Sequence, residues 1–222
     1  MKKYFLLILI FLLSININAQ DSGENTLGTW YVLTSSNRIS DKISLSGSLI
    51  NWNYNFYGNQ HLVLGIVGVN YHISKNVVAG IGYGKNSIDS SFEDGNLYIH
   101  ENRSLEQISI KHKTNKIAWN HRFRLEQRFL EYPTENKLIH RIRYRFKGAF
   151  PINKTLFISV YDEIHFNLNQ FDFNQNRAFA GLGFKLNKNN NIILGYARHS
   201  FKTKSFHRFS FQLNLKYDLR KN

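Results

Sequence analysis

Residues 116–129 read KIAWNHRFRLEQRF, and residues 138–147 read LIHRIRYRFK. In the first stretch one parity is Ile117, Trp119, His121, Phe123, Leu125, Gln127 and Phe129. The other parity is Lys116, Ala118, Asn120, Arg122, Arg124, Glu126 and Arg128. After a bend at 131–136 the pattern resumes: Leu138, His140, Ile142, Tyr144 and Phe146 oppose Ile139, Arg141, Arg143, Arg145 and Lys147. A side-chain period of two marks a β-strand, whose successive residues point to opposite faces. One face is apolar and aromatic; the other is heavily charged. A soluble sandwich buries the first face and wets the second. A membrane barrel turns the first to lipid and keeps the second in its lumen.

Nine more strand-like segments flank this pair, at 27–35, 42–54, 61–73, 77–83, 103–113, 156–166, 177–186, 192–201 and 207–219. In the second of these, Ile43, Leu45, Gly47 and Leu49 give way to Ile50, Trp52 and Tyr54, a change of parity that a β-bulge would produce. Gly80, Gly82 and Gly84 share one parity and let lumen side chains approach the backbone. Tight turns at 74–76, 114–115, 151–154 and 187–190 alternate with longer connections at 85–102, 130–136, 167–176 and 201–206. Short turns on one side and long loops on the other are the habit of outer-membrane barrels, the short ones periplasmic. Such a sheet must close, because an open edge in lipid leaves backbone groups unpaired. Bacterial single-chain barrels have even strand numbers, so the expectation is all-β: an antiparallel up-and-down transmembrane barrel of 10 or 12 strands.

The first residues fit that reading. Met1-Lys2-Lys3 precedes an apolar run at 4–13, then a more polar stretch ending in Ala19. This is the layout of a secretory signal peptide, and the run is too short to span a bilayer as a helix. The expected organisation is a signal peptide at 1–19 and one barrel domain at 20–222, in the outer membrane of a Gram-negative cell. No cysteine occurs, so no disulfide supports the exported fold. The net charge of +14 raises nucleic-acid binding, but export and the scatter of cations along strands argue against it. The partners expected instead are outer-membrane lipid, including lipopolysaccharide phosphates, and a small anionic solute.

Trp30, Arg122-x-Arg124-x-Glu126-x-Arg128, Arg141-x-Arg143-Tyr144-Arg145, Tyr161-x-Glu163, Phe166-Asn167, Gln175-Asn176-Arg177, Gly181, Gly183 and Gly195-Tyr196 follow one another in order. In this the chain resembles the bacterial family called domain of unknown function 2490, outer-membrane barrels frequent in Bacteroidetes. The resemblance implies a fold and a location. It implies no activity and no catalytic residue.

Arg122, Arg124, Glu126, Arg128, Arg141, Arg143, Arg145, Tyr161, Glu163 and Arg177, with His165, are expected to line one wall of the lumen. Two roles are open to them. They form a structural network that fills a narrow barrel, since guanidinium and carboxylate pair through two parallel hydrogen bonds. Alternatively they form an electropositive site for small anions. Lys202, Lys204, His207 and Arg208 sit near a loop, where they either contact lipid phosphates or are simply solvated. The expected role is non-enzymatic, without cofactor or metal: no HExxH and no calcium loop occurs. Asp89, Glu93 and Asp94 read as solvated loop residues. The alternatives are a barrel lipid hydrolase using His72 with Ser74 or His199 with Ser200, and a secreted barrel or sandwich holding an apolar ligand.

Overall fold

The computed structural model describes Gly23 and residues 26–92 and 98–220. The expected signal peptide lies outside the described residues, as do Glu93 and Asp94. Eleven strands follow in order: β1 (Leu27–Arg38), β2 (Ile43–Asn55), β3 (Gly58–His72), β4 (Val77–Asp89), β5 (Tyr98–Thr114) and β6 (Ile117–Glu131). Then come β7 (Asn136–Pro151), β8 (Leu156–Asn167), β9 (Asp172–Lys185), β10 (Asn191–Ser200) and β11 (Ser205–Asp218). No helix occurs among the described residues, so none is long and apolar enough to cross a membrane.

Each strand pairs antiparallel with its chain neighbours, and β1 closes the barrel against β11. The expected 10 or 12 strands are corrected to eleven. An odd number of up-and-down strands leaves the first and last pointing the same way, so their seam must be parallel. It runs from Leu27↔His207 to Arg38↔Asp218. A parallel ladder satisfies backbone N–H and C=O groups as an antiparallel one does, so closure does not require evenness. Side chains tie the seam as well: Tyr31 stacks on Phe211 at 5.2 Å, and Thr34 Oγ1 donates to Asn214 Oδ1 at 2.7 Å.

One rim carries the connections at 39–42, 73–76, 115–116, 152–155 and 186–190, and is called the turn rim. The other, the loop rim, carries 56–57, 90–97, 132–135, 168–171 and 201–204. The expected contrast in length is much reduced, because the strands run on: Lys85 pairs with Asn102, Glu131 with Asn136 and Ser200 with Ser205. Only 90–97 stays longer than the connections of the turn rim. With eleven strands the described chain starts at the loop rim and ends at the turn rim.

Polarity runs outward from polar to apolar. Large apolar side chains are exposed on the outside of every strand, among them Leu33, Leu49, Val67, Phe123, Ile142 and Leu194. Glu101, Glu126, Glu163, Arg141 and Arg208 are buried inside. A separate cluster of Trp30, Trp52, Leu62, Leu64, Phe179, Ile193 and Ala197 is also interior. The parity change in β2 is thus no bulge at Leu49–Ile50, where pairing with β3 is regular. Leu49 faces out and Trp52 faces an apolar stretch of the inner wall.

The irregularities lie elsewhere. The β2–β3 register shifts between Trp52 and Asn53, which leaves His61 as the extra residue. The β8–β9 register shifts at His165/Phe166, which leaves Asn174 over. Each bulge breaks the period of two and puts two consecutive side chains on the lumen: His61 with Leu62, and Asn174 with Gln175. The glycine stripe of β4 behaves as expected. A Cβ on Gly80 would stand 2.4 Å from Asn70 Oδ1, and one on Gly82 2.9 Å from the Val67 carbonyl.

Candidate functional site: the lumen

All ten charged-wall residues named from the sequence face the lumen, on β6, β7, β8 and β9. Alternation puts them on one side of the sheet, and register brings them level. Glu126 lies opposite Arg141, and Glu163 lies between Arg145 and Arg177. Glu126 is fully buried. It accepts from Arg141 Nε at 2.9 Å, Arg143 Nη1 at 2.6 Å and Arg103 Nη1 at 3.4 Å, with Arg124 Nη1 at 3.6 Å. Glu163 takes Arg122 Nη2 at 2.6 Å and Arg143 Nη2 at 2.7 Å, with His165 Nε2 at 3.4 Å. Arg143 therefore bridges two carboxylates.

Two members of the network were not legible as such, Glu101 and Arg103 on β5. Glu101 receives a forked pair from Arg128, Nε at 2.8 Å and Nη2 at 2.9 Å, and a bond from Asn86 at 3.1 Å. Arg103 Nε donates to Glu101 at 2.7 Å, so Arg103 is a second bridge. Ion pairs run unbroken as Glu101–Arg103–Glu126–Arg143–Glu163, across β5 to β8. Breaking such a buried pair costs about 3–5 kcal/mol, because the remaining charge is stranded. The signal existed: Glu101, Arg103, Leu105 and Gln107 continue one parity upstream, into a stretch read as loop.

Two guanidiniums of this wall have no carboxylate among the described residues. Arg145 Nη2 donates to Asn120 Oδ1 at 3.2 Å and sits 5.7 Å from the Tyr161 ring centre. Arg177 lies 4.6 Å over Trp52, and Gln175 accepts from its Nη2 at 2.6 Å when the amide oxygen is turned to it. Tyr161 itself stacks on Phe179 at 5.0 Å. The Nε atoms of Arg122, Arg143 and Arg145 are buried without a partner. The wall is short of acceptors: eight guanidiniums face three carboxylates.

Arg208 corrects an expectation. It is no loop cation for lipid phosphates but lies inside, 1 % exposed. It donates to His61 Nδ1 at 2.7 Å and His199 Nδ1 at 3.1 Å, between Trp52 and Phe206 at 4.8 and 5.0 Å. Of the residues named with it, Lys202 pairs with Asp172 at 2.9 Å, Lys204 shares the Phe206 ring with Arg208, and His207 contacts Tyr196. Asp89 is likewise buried, not solvated, and takes the amide and hydroxyl of Ser91.

The hydrolase pairs do not assemble as read from sequence. Ser74 Oγ accepts the amides of Asn76 and Val77, a turn contact. His72 Nε2 meets Ser44 Oγ at 2.9 Å, while its Nδ1 faces Arg38 Nη1 at 3.1 Å. A guanidinium donating to Nδ1 leaves the proton on Nε2, the wrong tautomer for a base toward Ser44. His199 Nδ1 is committed to Arg208.

Two cavities of the lumen meet at Arg122, Arg145 and Lys147. The one nearer the loop rim, about 470 Å³, runs between the arginine wall and the apolar wall. The other, about 670 Å³, reaches the turn rim at Asn187–Asn190. It is lined by Lys111, Lys113, Lys116, Lys147, Lys185, Lys188 and Lys216, with no Asp or Glu. Sequence reading missed this basin, whose seven lysines are spread over four strands and two turns. No group of side chains among the described residues is arranged to hold a metal.

Together these features define a closed, up-and-down β-barrel with an ion-paired, electropositive interior. Residues 27–210 match the family described as protein of unknown function DUF2490, and the chain belongs to that family. Neither the curated proteins nor the solved structures give a match.

Proposed function

We propose that this is an outer-membrane barrel without enzymatic activity, whose lumen takes up small anionic solutes from the turn rim. The observation that carries the location is the inverted polarity. Val67 is 66 % exposed on the outside while Glu126 is wholly buried inside, and this arrangement suits lipid around the barrel. Aromatic side chains gather outside β5–β7 toward the turn rim, where Trp119 stacks on Phe146 at 5.0 Å and His112 lies against His121. Such a belt fits a bilayer interface. Strands of 10 to 17 residues exceed or match the ~9–11 that span a bilayer.

The lysine basin supports the anion. Seven lysines with no acid among the lining residues raise the local concentration of counter-ions and steer them inward. The ion-paired half then acts as a structural stopper. Equilibrium dialysis of the detergent-solubilised barrel with inorganic phosphate tests this. The expected result is saturable uptake that weakens with added salt and disappears in Lys147→Glu with Lys216→Glu. Uptake that is absent, or unchanged in that double variant, contradicts the reading.

A further inference from the structure

We infer that the cavity of about 470 Å³ binds an amphiphilic anion: a carboxylate or phosphate head on a compact apolar body. The inference rests on the reading of the lumen as an anion-binding space and names the ligand class. Three observations carry it.

The first is the partnership deficit of Arg145 and Arg177. Register places them level with Glu163 on the strands either side of β8, flanking Tyr161. Neither meets a carboxylate among the described residues. Both line the cavity, as does Tyr161. Two guanidiniums and a phenol make a donor set with the chemistry of an oxyanion clamp.

The second is the opposite wall. Val32, Ile50, Leu64, Ile66 and Ile88 line the same space. Nothing in a hydrated inorganic ion uses such a surface, whereas an alkyl or aryl body does. The cavity joins this apolar wall to the polar one, and its volume lies in the range of ~300–1,000 Å³ common for small-molecule sites. The third is the route. The cavity opens into the lysine basin through Arg122, Arg145 and Lys147, so an anion drawn in from the turn rim meets the clamp directly.

Trp30 and Trp52 line the cavity, which provides the test. Trp119 is the other tryptophan and sits on the outer aromatic belt, so Trp119→Phe leaves only lumen indoles. This barrel, in dodecylmaltoside, is titrated with ω-bromooctanoate, whose bromine quenches indole on contact. Saturable quenching is expected, displaced by octanoate but not by acetate or octanol at equal concentration. Arg145→Gln with Arg177→Gln should weaken it about tenfold or more, the value of one lost charged hydrogen bond. These two arginines hold no carboxylate, so their loss strands no acid, and an unchanged gel mobility before boiling checks that the variant is folded. Equal displacement by acetate overturns the inference but leaves the anion reading intact. Equal displacement by octanol, or full quenching in the double variant, overturns the charged clamp. No saturable quenching with phosphate uptake retained overturns the inference alone; loss of both overturns the two together.

Discussion

The two halves of the lumen are built from the same kinds of side chain to opposite ends. Toward the loop rim, guanidiniums surround Glu101, Glu126 and Glu163, and hardly any charged atom meets water. Toward the turn rim, lysines line an open basin that contains no acid. Arginine is planar and forks onto carboxylates, which suits the dry half. Lysine is a hydrated point charge on a flexible stem, which suits a wet basin. The difference separates cations that hold the barrel together from cations left free to meet something else.

The largest effect that would sharpen this contrast is Glu126→Gln. Four arginines would then face a neutral amide, and the barrel should lose about 3–5 kcal/mol, read as a lower temperature for loss of the compact band on a detergent gel. Lys147→Gln, in the basin, should change stability by less than about 0.5 kcal/mol or raise it. Equal losses in the two variants would break the division. Next in size is a contrast between inside and outside glycines. Gly80→Val drives a branched side chain into Asn70 and should cost about 1–3 kcal/mol, whereas Gly65→Val meets nothing within 4 Å and should be near neutral. Equal melting in both variants would contradict the packed interior. The smallest effect is that of salt. Buried pairs are screened little and the basin strongly. Raising sodium chloride should therefore weaken phosphate uptake several-fold, as expected when a Debye length shrinks below the spacing of the lysines, and leave the heat resistance of the barrel unchanged. Salt-sensitive heat resistance would show that the network is wet.

Much of this was legible from one rule. The period of two in KIAWNHRFRLEQRF marks strands, and the same rule finds all eleven segments and the lumen wall of β6 and β7. Four things were hidden, each for a physical reason. The parallel seam depends on counting strands, and the evenness of known bacterial barrels argued against the count read directly. The apolar inner wall was masked because Ile50, Trp52 and Tyr54 look like a lipid-facing parity, although they line the lumen. His61 and Asn174 are aimed inward by bulges, which break the only pattern that a sequence shows. Glu101 was lost because residues 85–102 are polar enough to read as loop, yet much of that stretch is paired.

The absence of cysteine makes the central claim, lipid outside and charge within, directly measurable. Single cysteines at Leu49, Val67 and Ile142 for the outside, and at Lys147 and Lys216 for the lumen, would each carry a nitroxide in liposome-embedded protein. The account predicts that the outside labels relax with dissolved oxygen, an apolar probe, and the lumen labels with a water-soluble nickel chelate. Nickel-accessible labels at Leu49, Val67 and Ile142 would contradict it.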